Sequence, residues 1–267
     1  MKYKAKKLEF FLNSENIVFC NNGLEDLDKK WKWESAVAPY NRLYFIPNGE
    51  GGWLLDENEK LYMKAGHCYL IPSNYKFGFG NDGTFKQLFF HFNLKKDNGF
   101  DAFENFGRFG ELEMHEDCAI ICENFMKEDV ASMMTVESII YKAISCIAKK
   151  YNYSLDLKTD YSQIVKSAIT YIEDHLSPKL TSADIAEKCH VSKSSLTKHF
   201  RQEMGMSVKE YIMSIIMNEA KLRLLGSNDK ITDISAALGF TDQYIFSRCF
   251  TKINAISPSA FRKNYKF

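Results

Sequence analysis

Read for the spacing of its apolar residues, the chain changes period near Asp117. Upstream, short β-type runs alternate with turn residues. Residues 42–46 end at Pro47-Asn48-Gly49-Glu50-Gly51-Gly52, and 53–55 and 60–64 flank the turn 56–59. Residues 68–71 stop at Pro72, and 85–92 form a run apolar enough to be buried on both faces. Strand and hairpin signals at this density between residues 7 and 94 predict a small barrel or sandwich.

Downstream the period is helical. Ile120, Cys122, Phe125 and Met126 suit one helix. Val136, Ile139, Ile140, Ala143, Ile144 and Ile147 make a stripe on a second, which ends at Lys149-Lys150. A stripe that wide must bury against the sheet or against a second copy. Residues 152–160 lose the period and read as a linker. A helix over 161–175 follows, with Ile164, Ala168, Ile169 and Ile172 inward, and it ends before Ser177-Pro178.

The remaining hundred residues repeat one pattern twice. Thr181 caps a short helix with Ile185 and Ala186 inward, Cys189-His190-Val191 turns, and Ser192 caps a second helix with Leu196 and Phe200 inward. Gly205 closes that helix. Ser207 and Glu210 form a capping box that opens an unbroken helix of about 28 Å, which stops at Gly226. Ile234 then repeats Ile185, and Thr241, in a position to cap, repeats Ser192, both at an offset of 49. Phe246, Phe250 and Ser257 repeat Leu196, Phe200 and Ser207 at an offset of 50, so one residue is inserted at the start of the last recognition helix. Helix, tight turn and a helix with a polar outer face is how a helix-turn-helix offers side chains to base edges in the major groove. The outer faces carry Lys193, Ser194, Thr197, Lys198 and Arg201 in the first unit, and Gln243, Tyr244, Ser247 and Arg248 in the second.

Charge sharpens this division. The net charge of +1 splits into +5 over residues 161–267 and −4 over 1–160, and 27 of the 38 aromatics lie in the first part. Two domains with different partners are expected, 1–155 and 161–267, the basic one facing nucleic acid. With 45% hydrophobic and 26% charged residues the composition is that of a globular protein. No run of about 18 apolar residues suggests a membrane span, and the basic N-terminus breaks off before a secretory core could form. Seven cysteines without a CxxC pair predict reduced thiols and a cytoplasmic protein.

Residues 161–267 resemble the DNA-binding domain of the AraC/XylS family of bacterial transcription regulators. The resemblance rests on Asp184-Ile185-Ala186, Val191-Ser192, Leu196, Phe200, Gly205-Met206-Ser207, Leu238-Gly239-Phe240, Asp242-Gln243, Phe246-Ser247-Arg248, Phe250, Ser257-Pro258 and Phe261-Arg262. Three positions depart from the family pattern: Ile216 stands where an Arg is usual, Thr251 for a Lys, and Ala255 for the closing glycine. Gly49-Glu50-Gly51, Lys64-Ala65-Gly66-His67, Tyr69-Leu70-Ile71-Pro72 and Phe89-Phe90-His91-Phe92 are similar to the cupin-like barrel that precedes this domain in the family.

Together these imply an α+β protein: a cupin-like β-barrel with flanking helices, then an all-α domain of two helix-turn-helix units joined by a long helix. The resemblance implies a transcription activator that binds double-stranded DNA, has no catalysis or cofactor, and works with RNA polymerase. It also implies a homodimer through the helix from Thr135 to Lys150 and a small-molecule effector in the barrel. Arg42, as an anion anchor, with Tyr44, Trp53, Tyr69 and Phe89 would line that effector pocket, or else these residues are core. The first cupin motif's histidine pair is missing at Pro39-Tyr40-Asn41-Arg42, and the second motif's histidine is missing near Lys76 or Phe77. That argues against a metal-dependent cupin enzyme. His115, Cys118 and Cys122 have a spacing a metal could use, but the two cysteines sit one helical turn apart and read as core. The rivals to a DNA-binding regulator are a small-molecule enzyme with an accessory helical domain, and a protein of assembly alone.

Overall fold

The computed structural model describes residues 17–57, 59–127, 129–155 and 161–265. The chain divides into two compact units, Met1–Leu157 and Lys158–Phe267.

The first unit is built on one antiparallel sheet. Its strands are β1 (Ile17–Leu27), β2 (Trp33–Ala36), β3 (Asn41–Leu55), β4 (Lys60–Tyr62), β5 (His67–Ile71), β6 (Phe77–Leu94) and β7 (Gly110–Glu113). They lie in the order β1-β6-β3-β5-β7, with β2 on β6 and β4 on β3. The expected barrel is not closed: β1 pairs with β6 and β7 with β5, and no described strand joins these two ends.

β2 and β7 are not among the expected strands, β6 is longer than expected, and two further differences shape the sheet. Residues 47–52 do not end a strand; β3 runs through them for 15 residues, with register shifts at Phe45/Asn48 and Glu50/Gly52. Gly49 and Gly51 take φ +88° and +98° there, and a Cβ on Gly51 would come within 2.4 Å of the Gly83 nitrogen. The glycines therefore serve bulges that bend the strand, not a turn. β1, with its largely exposed sequence, carries no clean alternation and is absent from the sequence reading.

Alternation along β3, β5 and β6 gives the sheet two apolar faces. Leu43, Phe45, Cys68, Leu70, Leu88, Phe90 and Phe92 face two helices, α1 (His115–Phe125) and α2 (Val130–Lys150). Ile139, Ile140, Ala143, Ile144 and Ile147 of α2 bury there, so the expected stripe is spent on the sheet. By length and composition alone α2 would also suit a membrane span. On α1 Cys118 and Ile121 are buried and Cys122 and Phe125 pack against the same core as expected, while Ile120 and, just past the helix, Met126 are exposed, contrary to the expected stripe. Tyr153 and Leu155 pack on the same core, so residues 152–155 belong to the first unit rather than to a linker. The rest of the expected linker, 156–160, lies outside the described residues.

The second unit is helical: α3 (Gln163–Asp174), α4 (Ser182–Lys188), α5 (Lys193–Met204), α6 (Val208–Gly226), α7 (Ile231–Ala237), α8 (Gln243–Asn254) and α9 (Pro258–Tyr265). Val165, not Ile164, is the first inward residue of α3.

Candidate nucleic-acid interface

Each recognition helix is started by a side chain and closed by a left-handed residue. The Ser192 hydroxyl accepts from the Ser195 nitrogen at 3.1 Å to start α5, and Gly205 ends it at φ 71°. α8 starts at Asp242, whose carboxylate accepts from the Tyr244 nitrogen at 2.6 Å. Asp242, not Thr241, is therefore the cap. With His190 (φ 54°) answering Gly239 (φ 80°) and Ser192 answering Asp242, the inserted residue falls in the turn, not in the recognition helix. A carboxylate caps at least as well as a hydroxyl, which is why both residues fit the sequence pattern.

Buried residues fix which way each helix faces. Leu196 and Phe200 are fully buried on α5, and Phe200 packs edge-on to Tyr211 of α6 at 5.4 Å. On α8 a ladder of rings, Phe240–Phe246–Phe250–Phe261, runs at centroid spacings of 5.4, 5.8 and 5.5 Å into α9. The Arg262 Nε donates to the Leu224 carbonyl at 3.1 Å and ties α9 to the end of α6. At the other end, the Glu203 carboxylate of α5 accepts from the Ser162 nitrogen at 2.7 Å and its hydroxyl at 2.8 Å, seating the start of α3 on the recognition helix. These bonds hold Glu203 below the usual carboxylate range against the opposing effect of partial desolvation.

What faces outward follows. Lys193, Ser194, Thr197, Lys198, Arg201 and Gln202 line one open groove on α5. Gln202 was not among the residues singled out in the sequence; its spacing from Lys198 puts it on the same face. Two of the hydroxyls in the groove are already engaged: Thr197 donates to the Lys193 carbonyl at 2.8 Å, and Ser194 lies 3.0 Å from the capping hydroxyl of Ser192. Lys193, Lys198, Arg201 and Gln202 are the exposed long polar side chains of that face. On α8, Tyr244 is 78% exposed and Arg248 is exposed, while Gln243 and Ser247 are half-buried.

Between the two helices runs α6. Its capping box is formed by Ser207 and Glu210, with the Ser207 nitrogen donating to Glu210 at 2.7 Å and the Glu210 nitrogen to the Ser207 hydroxyl at 3.2 Å. Ile216 is 1% exposed, so the residue that replaces a usual arginine is part of the core. Ala255 takes φ 58°, the same left-handed region that Gly205 occupies in the first unit.

A family model described as a helix-turn-helix domain matches residues 185–264. The lactose operon transcription activator of Staphylococcus xylosus is 24% identical, over 99% of this chain and 98% of its own length. The Msm operon regulatory protein of Streptococcus mutans is 25% identical, over 96% and 95%. The chain is a DNA-binding transcription regulator whose helical domain is similar to the AraC type. A crystal structure of the ToxT protein of Vibrio cholerae shares the fold over 95% of this chain and 100% of its own, with TM-score 0.54 and 16% identity. As a transcription regulator the protein is not an enzyme.

The other residues expected to form sites lie in the first unit. Arg42, Tyr44, Tyr69 and Phe89 share the sheet face that looks away from α1 and α2: Arg42 is opposite His91, and Tyr44 is opposite both Phe89 and Tyr69. Burial pushes the Tyr44 hydroxyl up to about 12, with the Arg42 charge opposing. Tyr69 is spoken for, accepting from the Lys64 nitrogen at 2.9 Å and donating to Glu111. Trp53 stands beyond the bulges, against Gly80 and under the Lys60 ammonium at 4.4 Å. Cys118 donates to the His67 carbonyl and is pushed up to about 12 by burial, as befits a core thiol, while His115 pairs with Glu113 at 3.1 Å.

Proposed function

We propose that α5 and α8 enter successive major grooves on one side of a single duplex, and that the chain acts as an activator in the cytoplasm. The observation that carries this is the pair of recognition helices, one before and one after the capped helix α6 in the chain. A rod of about 28 Å plus the width of the units suits the spacing of about 34 Å between major-groove faces one turn apart. In this reading Ser194, Thr197, Lys198, Gln243, Tyr244, Ser247 and Arg248 meet base edges, while Lys193 and Arg201 hold phosphates. Gln202 joins the base-facing set.

The first unit supplies control. In this proposal it is a cupin-like sensor whose inner sheet face, with Arg42, Tyr44, Trp53, Tyr69 and Phe89, takes a small molecule; ToxT has been solved with an unsaturated fatty acid bound. Two copies pair through α2, from Thr135 to Lys150. The inward stripe being occupied, the outer face is used, continued by the exposed Met133 and Met134. Bound at a promoter, the pair would recruit RNA polymerase.

Titration of the full chain onto duplex from its own upstream region, with random duplex as control, tests the proposal. Specific binding should be at least about a thousandfold tighter, and should weaken steeply with salt. Equal affinity for both duplexes would overturn it.

A further inference from the structure

Arg42 is among the largest fully buried side chains of the described residues, 1% exposed, and both terminal nitrogens of its guanidinium lack a hydrogen-bond partner. Its charge sits between the rings of Tyr40 and Phe77, at 5.1 and 4.9 Å from their centroids. Cation–π attraction offsets only part of the cost of stripping water from a guanidinium, so a buried arginine ordinarily has a carboxylate and a full set of acceptors. The carboxylate that meets the neighbouring Asn41 is committed elsewhere. Asp101 accepts from the Asn41 side chain at 2.7 Å, the Leu94 nitrogen at 2.9 Å and the Phe103 nitrogen at 2.8 Å.

The surroundings are those of a site rather than of a packing accident. His91, directly across from Arg42, stacks on Tyr40 at 4.7 Å. Burial first, and the Arg42 charge second, push its pKa down to about 3. It is therefore a neutral donor and acceptor that does not compete with Arg42 for an anion. Other buried atoms without partners include the Gln87 carbonyl oxygen, on the same sheet face, and the Ser73 hydroxyl, just beyond β5. The sheet face thus offers one fixed positive charge with a planar fork of donors, a neutral imidazole and the unpartnered Gln87 carbonyl oxygen and Ser73 hydroxyl, walled by aromatic rings. A planar fork matches a carboxylate or phosphate edge through two parallel bonds.

We propose that the effector is a small molecule carrying an oxyanion, a carboxylate or a phosphate, and that this group docks on Arg42. The inference rests on the effector reading above and adds the chemical class. It also gives a reason for a charge where an apolar residue would pack at lower cost: the ligand completes an ion pair for a guanidinium whose terminal nitrogens have no partner within the protein.

The test is thermal unfolding of the full chain at constant ionic strength, with acetate, inorganic phosphate or glucose 6-phosphate added, and glucose as the neutral control. The proposal expects a saturable rise in Tm with at least one of the three anions; acetate against phosphate tells which oxyanion is preferred. Arg42→Met should fold with a Tm no lower than wild type, since an unpaired buried charge is removed, and should bind the anion about 100-fold more weakly. Arg42→Lys, which keeps the charge but loses the fork, should retain a weakened response and serves if the methionine variant does not fold. No saturable shift with any anion, or a shift that survives Arg42→Met, overturns the proposal. A shift with glucose alone, equal in wild type and Arg42→Met, would leave an effector site standing and remove its anionic class. DNA binding by each variant, measured in parallel, separates either failure from a failure of the DNA-reading function.

Discussion

His91 and Ala255 show how single residues carry measurable consequences away from the DNA-binding face. His91 is held neutral in the folded protein, with a pKa near 3 against 6.5 for the free side chain. Between those values the unfolded chain binds a proton that the folded chain refuses. Stability is therefore full above about pH 6.5 and falls as the pH drops toward 3, by at most about 1.4 kcal/mol per unit. Urea unfolding from pH 7 to 4 should show that slope, and His91→Phe should flatten it. Ala255 occupies the left-handed region that Gly205 fills in the first unit. A Cβ there costs roughly 1 kcal/mol, so Ala255→Gly should stabilise the second unit by about that amount in a denaturant melt.

At the scale of elements, the aromatic ladder of α8 is the main support of the second reader. Phe250 is fully buried between Phe246 and Phe261, and Phe250→Ala should cost about 3–5 kcal/mol, read as a lowered urea midpoint with the first unit's transition unchanged. The helical half was legible because its signals are local. Caps such as Thr181, Ser192 and Ser207, the glycine at 205, and apolar pairs one turn apart each declare an element without knowledge of its neighbours. The cap of α8 was misplaced by one residue because Thr241 and Asp242 both satisfy the same chemistry. The sheet was less legible. β1 pairs with β6 at sequence separations of 58 to 77 residues, its own residues are mostly exposed, and the bulges of β3 look like a turn when read alone. Whether the sheet closes depends on which strands meet, and no local pattern records that. The orphaned guanidinium of Arg42 was visible as an arginine, but its lack of a partner is a property of the packed face.

At the scale of the molecule, the two units divide the chemistry as the charge split suggests, an aromatic, acidic unit built on a sheet and a basic helical one. The central claim is that one chain reads DNA with two helices at once. Fluorescence anisotropy on a bound duplex, scanned one base pair at a time, tests it with wild type, Lys198→Ala and Arg248→Ala. Each variant should lose about 1–3 kcal/mol of binding and relax discrimination at its own position, the two positions lying about 10 base pairs apart. Relaxation of the same position by both variants, or of none by either, would contradict the account.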